Sequence, residues 1–456
     1  MSLRFLVAIA AVALAVSAAA APSAPDPFAW LEDIHSPRAL AWVEQQNART
    51  AARLETDPRY AVYHREALAL LTAEDRIPQP TFLGDDIGNF WQDSVHTKGL
   101  WRRASFASYN SPAPQWETLL DLDALSKAEG KNWIFKGATC LPPEDRLCLV
   151  RLSNGGGDAV ELREFDTRAK AFVPGGFRFA SAKQSAAWLD ADTLLLARDF
   201  GPGTLTTSGY PYIVKQVKRG QPGVEVFHGD PKEVGAGAEL LRGPNGAVEH
   251  VLFRRSVRTF ESRYWLLLPD GSQRALDLPL KTDVRGYVDR RLIVSLNEDW
   301  PARGFTAGDL IAYEPLTGQA ELVFRPGPTQ TVNDAAVTQN RLLVELLDNV
   351  NGALDVYRRG PDGWSAKRLP LPRGLAITLV SSDHQSDRAY IATESFLEPT
   401  SLWSLDAATG GLAKVKSLPP RFDATGDVTE QHFATSKDGT RIPYWLVRPK
   451  GMKPDG

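Results

Sequence analysis

The residues of this chain that could do chemistry are a serine–glycine run, seven histidines and two cysteines. The run Ser153-Asn154-Gly155-Gly156-Gly157 has the small residues that flank a nucleophilic serine on a tight turn. Such a serine ordinarily stands in Gly-x-Ser-x-Gly, between a strand and a helix. Here Arg151 takes the place of the first glycine, and the strand-like segment Ala159–Phe165 follows. Since no Gly-x-Ser-x-Gly occurs in the 456 residues, no catalytic residue is assigned, and the run is interpreted as a loop between strands.

The remaining polar residues do not predict a metal or cofactor site. The histidines are scattered without metal-ligand spacing: His35, His64, His96, His228, His250, His384 and His432. Two cysteines without a suitably spaced histidine pair do not make a zinc site. The glycine run lacks the Lys-Ser/Thr pair and the following helix of a phosphate-binding loop. We therefore predict no metal and no cofactor, and the residues that contact substrate stay unassigned.

The two cysteines stand on either side of a turn signal. Cys140 and Cys148 flank Pro142-Pro143-Glu144-Asp145, so they could face each other across a hairpin. Opposed Cβ atoms in such a hairpin approach to disulfide distance. Two buried thiols, acting as small hydrophobic side chains, would fit the same spacing. Both alternatives stay open from the sequence.

One structural unit repeats seven times between Gly88 and Pro419. Each unit is predicted to have an apolar strand, a loop, a second strand that ends in Tyr, Phe or Trp, a tight turn and a third strand. The first strands begin near positions 89, 147, 193, 250, 292, 342 and 389, a mean spacing of about 50 residues. That period is typical of propeller blades of four strands each. The sequence thus predicts an all-β, seven-bladed β-propeller, with a pair of β-sandwiches as the alternative.

The first 21 residues differ from the rest of the chain. Arg4 precedes an apolar stretch over Phe5–Val16, and the small residues Ser17–Ala21 follow. This pattern is typical of a secretory signal peptide, and twelve apolar residues are too few to span a bilayer. We predict export to the periplasm or the medium with no stable membrane anchor. An N-terminal membrane anchor is the alternative.

Composition and charge limit the partners. The chain is 43% hydrophobic, which is ample for a core, and its formal charge is −3. A nucleic-acid-binding or anionic-membrane-binding protein ordinarily presents a basic surface. We therefore predict no nucleic-acid partner.

Both ends of the mature chain carry motifs. Asp26-Pro27-Phe28-Ala29-Trp30-Leu31-Glu32 leads into Ser36-Pro37, an N-cap with proline at the first helical position, and Trp42-Val43 follows. A second helix is predicted over Pro58–Ala73. At the other end, Ser436-Lys437-Asp438-Gly439-Thr440-Arg441-Ile442-Pro443 joins two strands through a tight turn. These two ends resemble the prolyl oligopeptidase family of serine peptidases, in its N-terminal helical segment and in the entry to its α/β-hydrolase domain.

The resemblance implies a domain organisation. It divides the chain into a signal peptide (1–21), an N-terminal helical segment (22–75), a seven-bladed propeller (76–422) and the truncated start of an α/β-hydrolase peptidase domain (423–456). It also implies cleavage of short peptides, typically after proline, by a Ser, Asp and His triad that lies in a missing C-terminal domain. Ser153 and its glycines resemble the surroundings of the family's nucleophile, yet the blade-loop interpretation is preferred.

Short peptide substrates and the missing hydrolase segment are the partners that the resemblance implies. We expect the chain alone to be inactive. We also expect Trp30, Trp42, Leu68, Leu71 and Trp445 to face water, because the domain that would cover them is absent. A free-standing propeller that binds peptides or a partner protein without catalysis is the alternative function.

Overall fold

The computed structural model describes residues 26–453, so the predicted signal peptide at 1–21 lies outside the described residues. The chain forms two compact units that divide after Leu71. Within the described range, no helix has the length and apolar character needed to cross a bilayer.

The N-terminal unit consists of two helices, α1 (Pro37–Leu54) and α2 (Tyr60–Leu71). The Ser36 hydroxyl accepts a hydrogen bond from the Ala39 amide at 3.1 Å, which confirms the predicted N-cap. Trp30 packs edge-on against Trp42 with ring centroids 6.2 Å apart. Leu71, Leu68 and Trp42 are exposed, as the sequence predicts, whereas Trp30 is half-buried.

The second unit contains seven antiparallel sheets, each a four-stranded path in chain order. They confirm the predicted seven-bladed propeller and exclude the sandwich pair. Blade 1 comprises β1 (Thr81–Leu83), β2 (Asp86–Trp91), β3 (Leu100–Ser105) and β4 (Glu117–Asp121), and blade 2 comprises β5 (Trp133–Cys140), β6 (Leu147–Asn154), β7 (Val160–Asp166) and β8 (Ala171–Phe172), with β9 (Arg178–Ala182) also paired to β7. Blade 3 comprises β10 (Ser185–Asp190), β11 (Thr193–Ala197), β12 (Ile213–Lys218) and β13 (Val224–His228). Blade 4 comprises β14 (Gly235–Arg242), β15 (Val248–Arg258), β16 (Glu261–Leu267) and β17 (Gln273–Ala275).

Blades 5 to 7 follow the same plan. Blade 5 comprises β18 (Thr282–Val288), β19 (Arg291–Leu296), β20 (Leu310–Tyr313) and β21 (Ala320–Phe324). Blade 6 comprises β22 (Gln330–Val337), β23 (Leu342–Asp348), β24 (Asn351–Gly360) and β25 (Gly363–Arg368). Blade 7 comprises β26 (Ala376–Ser382), β27 (Arg388–Glu394), β28 (Ser401–Asp406) and β29 (Gly411–Ser417). Two short helices, α3 (Phe106–Tyr109) and α4 (Leu122–Glu129), stand within and after blade 1.

The core lies between the blades. The second strand of each blade is an apolar run because both of its faces are covered, as in Leu292, Ile293 and Val294 of β19, which are fully buried. Leu292 and Val294 pack with blade 4, and Ile293 packs with blade 6. Burying one such side chain contributes roughly 1.5–3 kcal/mol. This packing explains why the second strands give the clearest repeat in the sequence.

The ring closes between blades 1 and 7 through side chains. Phe82 stacks on Tyr390 with ring centroids 5.6 Å apart, and Ile87 and Leu402 join the same cluster. The Tyr390 hydroxyl donates to Asn110 Oδ1 at 2.8 Å. Among the described residues, no strand is shared between these two blades.

The propeller has two different faces. The first strand of each blade is innermost, since β18 contacts β22, β22 contacts β26, and β26 contacts β1. In an antiparallel four-stranded blade, the first strand begins on the face where the fourth strand ends. The chain therefore enters blade 1 and leaves blade 7 on one face, called here the entry face. The opposite face, called the turn face, carries the connections between first and second strands.

A terminal hairpin of β30 (Asp427–Thr435) and β31 (Arg441–Pro449) lies on the entry face. The Gln431 side chain donates to the Asn349 carbonyl at 2.6 Å and accepts from Asn351 Nδ2 at 2.9 Å, both in blade 6. Trp445 packs against Phe396 of blade 7 at 6.1 Å. The expectation that Trp445 faces water is wrong, because blade 7 covers its ring and leaves it half-buried.

Candidate functional site

The serine–glycine run forms the turn between β6 and β7, as predicted. Ser153 is 1% exposed, and its hydroxyl donates to the Gly157 carbonyl at 2.9 Å. The Ser153 hydroxyl is therefore engaged in the hydrogen bond that closes the turn. Gly155 and Gly156 adopt φ of 85° and 91°, which glycine accepts at little cost.

The two cysteines face each other at the base of the turn between β5 and β6. Cys140 pairs with Cys148 in the strand register, and the structure joins them in a disulfide. No free cysteine remains among the described residues. The bond fixes the ends of the six-residue turn 141–146.

The structure brings no metal ligands together. Within residues 26–453, no group of three His, Cys, Asp or Glu side chains could hold a metal ion. His432 Nε2 lies 3.2 Å from Glu430 Oε2 on the same face of β30, and Arg448 also binds that carboxylate. These contacts lower the pKa of Glu430, Arg448 most strongly. The group is an ion-pair cluster of the hairpin.

A cavity of about 700 Å³ opens beside blades 2, 3 and 4 on the entry face. It is bordered by the C-terminal end of β6, the start of β10 and the start of β14. Its position on the entry face therefore follows from the blade topology. Its lining includes four cationic side chains and one acid: Lys136, Arg151, Lys183, Arg254 and Asp158. We call this the entry-face cavity.

Backbone and aromatic contacts hold most of the cations. Lys136 Nζ donates to the Gly156 carbonyl at 2.9 Å, and Arg151 Nε donates to the Lys136 carbonyl at 3.0 Å. The Lys183 ammonium lies 4.0 Å from the centroid of the Tyr210 ring, a favourable cation–π geometry. Because carbonyl groups and an aromatic ring make these contacts, they do not neutralise the positive charges of these three side chains, which could attract an anionic ligand.

Arg254 is the fourth cation, and it faces Glu239 of β14. Its Nε lies 4.0 Å from Glu239 Oε1, the outer limit of an ion pair. The Glu239 side chain keeps 45% of its surface accessible, yet the surrounding blades desolvate it and raise its pKa. A carboxylate entering the cavity would compete with Glu239 for Arg254.

Gln184 supplies a buried acceptor at the cavity wall. Its Nε2 donates to the Val160 and Ala180 carbonyls at 2.6 and 2.9 Å. Its Oε1 is buried and has no donor among the described residues. Leaving a buried oxygen without a donor costs about 1–3 kcal/mol.

Sequence reasoning missed this cavity. Its residues come from three blades and stand as far apart as Lys136 and Ser256, so no local spacing joins them. The lone signal was the polar character of loops that sit between apolar strands. Only the ring arrangement of the blades brings the loops together.

Comparisons with known proteins identify the family. The model described as "Prolyl oligopeptidase, N-terminal beta-propeller domain" matches residues 12–220 and 314–417, more than half of the chain. The chain belongs to this family. This agrees with the resemblance at the N-terminal end, which the match includes, and two curated relatives carry the name peptidase.

Two curated relatives cover nearly all of the chain. An uncharacterized peptidase of Sinorhizobium fredii is 43% identical over 454 residues, which is 96% of this chain and 62% of the relative. An uncharacterized peptidase of Rickettsia prowazekii is 25% identical over 95% of this chain and 63% of the relative. The chain therefore spans less than two thirds of the length of either relative.

A solved structure agrees in fold. The post-proline cleaving enzyme from Rickettsia typhi superposes with a TM-score of 0.84 at 24% identity, covering 93% of this chain and 65% of that one. This likeness supports the seven-bladed architecture described above.

Proposed function

We propose that this chain is the propeller portion of an exported prolyl oligopeptidase-like serine peptidase that cleaves short peptides, typically after proline. The catalytic Ser, Asp and His would stand in an α/β-hydrolase domain that follows the hairpin β30–β31. The family match is the observation that carries the proposal. The relatives' greater length supports the presence of a further domain in the working enzyme.

The reaction would be acyl transfer, and this chain would position the peptide for it. A serine activated by histidine attacks the peptide carbonyl, the C–N bond breaks and the amine leaves with a proton from histidine, and water then hydrolyses the acyl-enzyme. The entry-face cavity opens on the same face as β30–β31, where the hydrolase domain would continue. Its cations would bind a peptide carboxylate.

A binding experiment tests the role of the cavity. The purified chain is titrated with a fluorescent hexapeptide that contains proline and two aspartates. We expect saturable binding that weakens with salt, because screening reduces the attraction of exposed charges. The double variant Lys183→Ala/Arg254→Ala should weaken binding at least fivefold, whereas Lys367→Ala on the outer strand β25 should not change it.

Equal binding by the double variant and the native chain would remove the cavity from the proposal. Failure of every proline peptide to bind, with affinity for one folded partner protein instead, would favour a free-standing binding propeller. Export is tested separately, by mass spectrometry of periplasmic protein, with cleavage expected near Ala20 or Ala21.

A further inference from the structure

A second cavity lies inside the propeller channel, at the turn face. Its volume is about 620 Å³. Five blades contribute to its lining, with Phe82 from blade 1, Asp145 from blade 2, Glu239 from blade 4, Arg285 from blade 5 and Ser382 from blade 7. Because these residues come from the inner edges of blades around the ring, the cavity is part of the central channel.

The turns that border this end of the channel differ in length. Blades 1, 3 and 5 join their first two strands by two residues each, as in a minimal hairpin. Blades 2, 4, 6 and 7 use longer turns, at 141–146, 243–247, 338–341 and 383–387. The longer turns have the reach to extend beyond their own blade.

The four longer turns contact each other across the blades between them. Gln385 Nε2 of blade 7 donates to the Pro143 carbonyl of blade 2 at 2.8 Å, past blade 1. Gln339 Nε2 of blade 6 donates to the Pro244 carbonyl of blade 4 at 3.0 Å, past blade 5.

Two further contacts complete a closed circuit. A Cβ on Gly246 of blade 4 would lie 3.3 Å from Pro142 Cβ of blade 2, so these two turns touch past blade 3. The backbone N–H of Gln339 donates to the Ser386 carbonyl of blade 7 at 3.2 Å. The contacts thus run from the turn of blade 2 to those of blades 4, 6 and 7 and back to blade 2. Turns of blades that are not neighbours can meet only near the channel axis, so these turns lie over the end of the channel.

The blade 2 turn is fixed at two further points. The Cys140–Cys148 disulfide joins the two strands at its base. Asp145 Oδ2 accepts a hydrogen bond from the Gly84 amide of blade 1 at 2.9 Å, which fixes the turn to its neighbour. A turn fixed at its base and at its side is a stable support for Gln385 and Gly246.

We propose that the turns of blades 2, 4, 6 and 7 form a cap that closes the turn-face end of the channel, so that molecules of peptide size reach the lumen only from the entry face. Gln339 and Gln385 donate the side-chain hydrogen bonds that link turns of non-adjacent blades, and Pro244 and Pro143 accept them. As a determinant of substrate access, the cap rests on the proposed peptidase function. Its existence does not depend on that function.

Thiol labelling tests the cap without any catalytic activity. Ser382→Cys places a thiol in the lumen below the cap, Ser185→Cys places one at the rim of the entry-face cavity, and Asp362→Cys places one on an exposed outer hairpin. Each variant is treated with N-ethylmaleimide and with a 5-kDa polyethylene glycol maleimide. The small reagent should label all three thiols, while the large one should label Cys at 382 at least 50-fold more slowly than at 362.

The opened variant Gln339→Ala/Gln385→Ala lacks both side-chain links and serves as the second arm. In it, the large reagent should label Ser382→Cys at least fivefold faster, with labelling at 185 and 362 unchanged. Rapid labelling of position 382 by the large reagent in the intact chain, at a rate that the opened variant does not change, would show that the cap does not limit access to the lumen. Slow labelling that persists in the opened variant would show that the two glutamines do not hold the cap. Either result overturns the proposal, and neither bears on whether the entry-face cavity binds peptide.

Discussion

At the scale of single residues, charge networks between blades tie the propeller together. Arg163, which is 5% exposed, donates to Glu129 Oε1 at 2.6 Å and Oε2 at 2.9 Å, and its Nε bonds Glu161 at 2.7 Å. The Arg163 guanidinium is the main cause that lowers the pKa of Glu129 to about 2. Glu129 ends α4 after blade 1, so the network anchors that helix to blade 2.

This network predicts a defined pH dependence for Glu129→Gln. A carboxyl group whose pKa is lower in the folded state contributes stability above its ordinary value near 4.5, and that stability is lost as the pH falls toward 2. The variant should be less stable than the native chain by about 1–3 kcal/mol at pH 7. Urea unfolding should show that the difference in unfolding free energy between the variant and the native chain shrinks between pH 5 and pH 3. A difference that stays constant with pH, or an equal loss of stability in the surface control Asp362→Asn, would contradict this assignment.

The disulfide gives a second prediction at this scale. Cys140→Ser/Cys148→Ser should lower the free energy of unfolding by at most about 2–3 kcal/mol, since a loop of nine residues loses little chain entropy when closed. Peptide mapping of the alkylated, unreduced protein should recover the two cysteines in one disulfide-linked peptide. Two freely alkylated thiols would show that the bond does not form.

At the scale of elements, the terminal hairpin is the part that most depends on its neighbours. β30–β31 has exposed apolar side chains at Phe433, Ile442 and Tyr444. Its contacts with the propeller are few, chiefly Gln431 and Trp445. A two-stranded hairpin is marginally stable by itself, so these contacts should decide whether it stays docked.

Limited proteolysis measures this docking. Gln431→Ala/Trp445→Ala should speed cleavage within residues 427–453 at least fivefold, with the blades still resistant. Thr435→Ala, also on β30 but outside these contacts, is the matched control. Equal cleavage rates in all three proteins would show that the blade contacts do not hold the hairpin.

The sequence predicts elements well and their spatial assembly less well. The apolar second strands such as Leu342–Val344 stand out because blades cover both of their faces, and the Ser36 cap and the Asp438-Gly439 turn are local signals. The entry-face cavity and the cap could not be predicted, because they join loops distant in sequence such as Pro143 and Gln385. Trp445 was misjudged for the same reason, since its cover comes from Phe396 of another blade.

At the scale of the whole molecule, the fold separates two tasks. The inter-blade core makes the propeller rigid, while its two faces differ in what they expose. The turn face carries interlocked turns, and the entry face carries a cationic cavity and the terminal hairpin. This asymmetry suits a part that admits peptide toward a catalytic domain on one side only.

The most direct test of the central proposal is a fusion of this chain to the α/β-hydrolase domain of a characterised prolyl oligopeptidase. The chain alone should not hydrolyse a fluorogenic Gly-Pro peptide above a buffer control, since it has no Gly-x-Ser-x-Gly. The fusion should cleave that peptide after proline, lose activity with a serine-directed phosphonate and leave folded proteins uncleaved. A folded fusion that reacts with the phosphonate but shows no preference for short peptides would contradict the account, as would phosphonate-sensitive turnover by the chain alone.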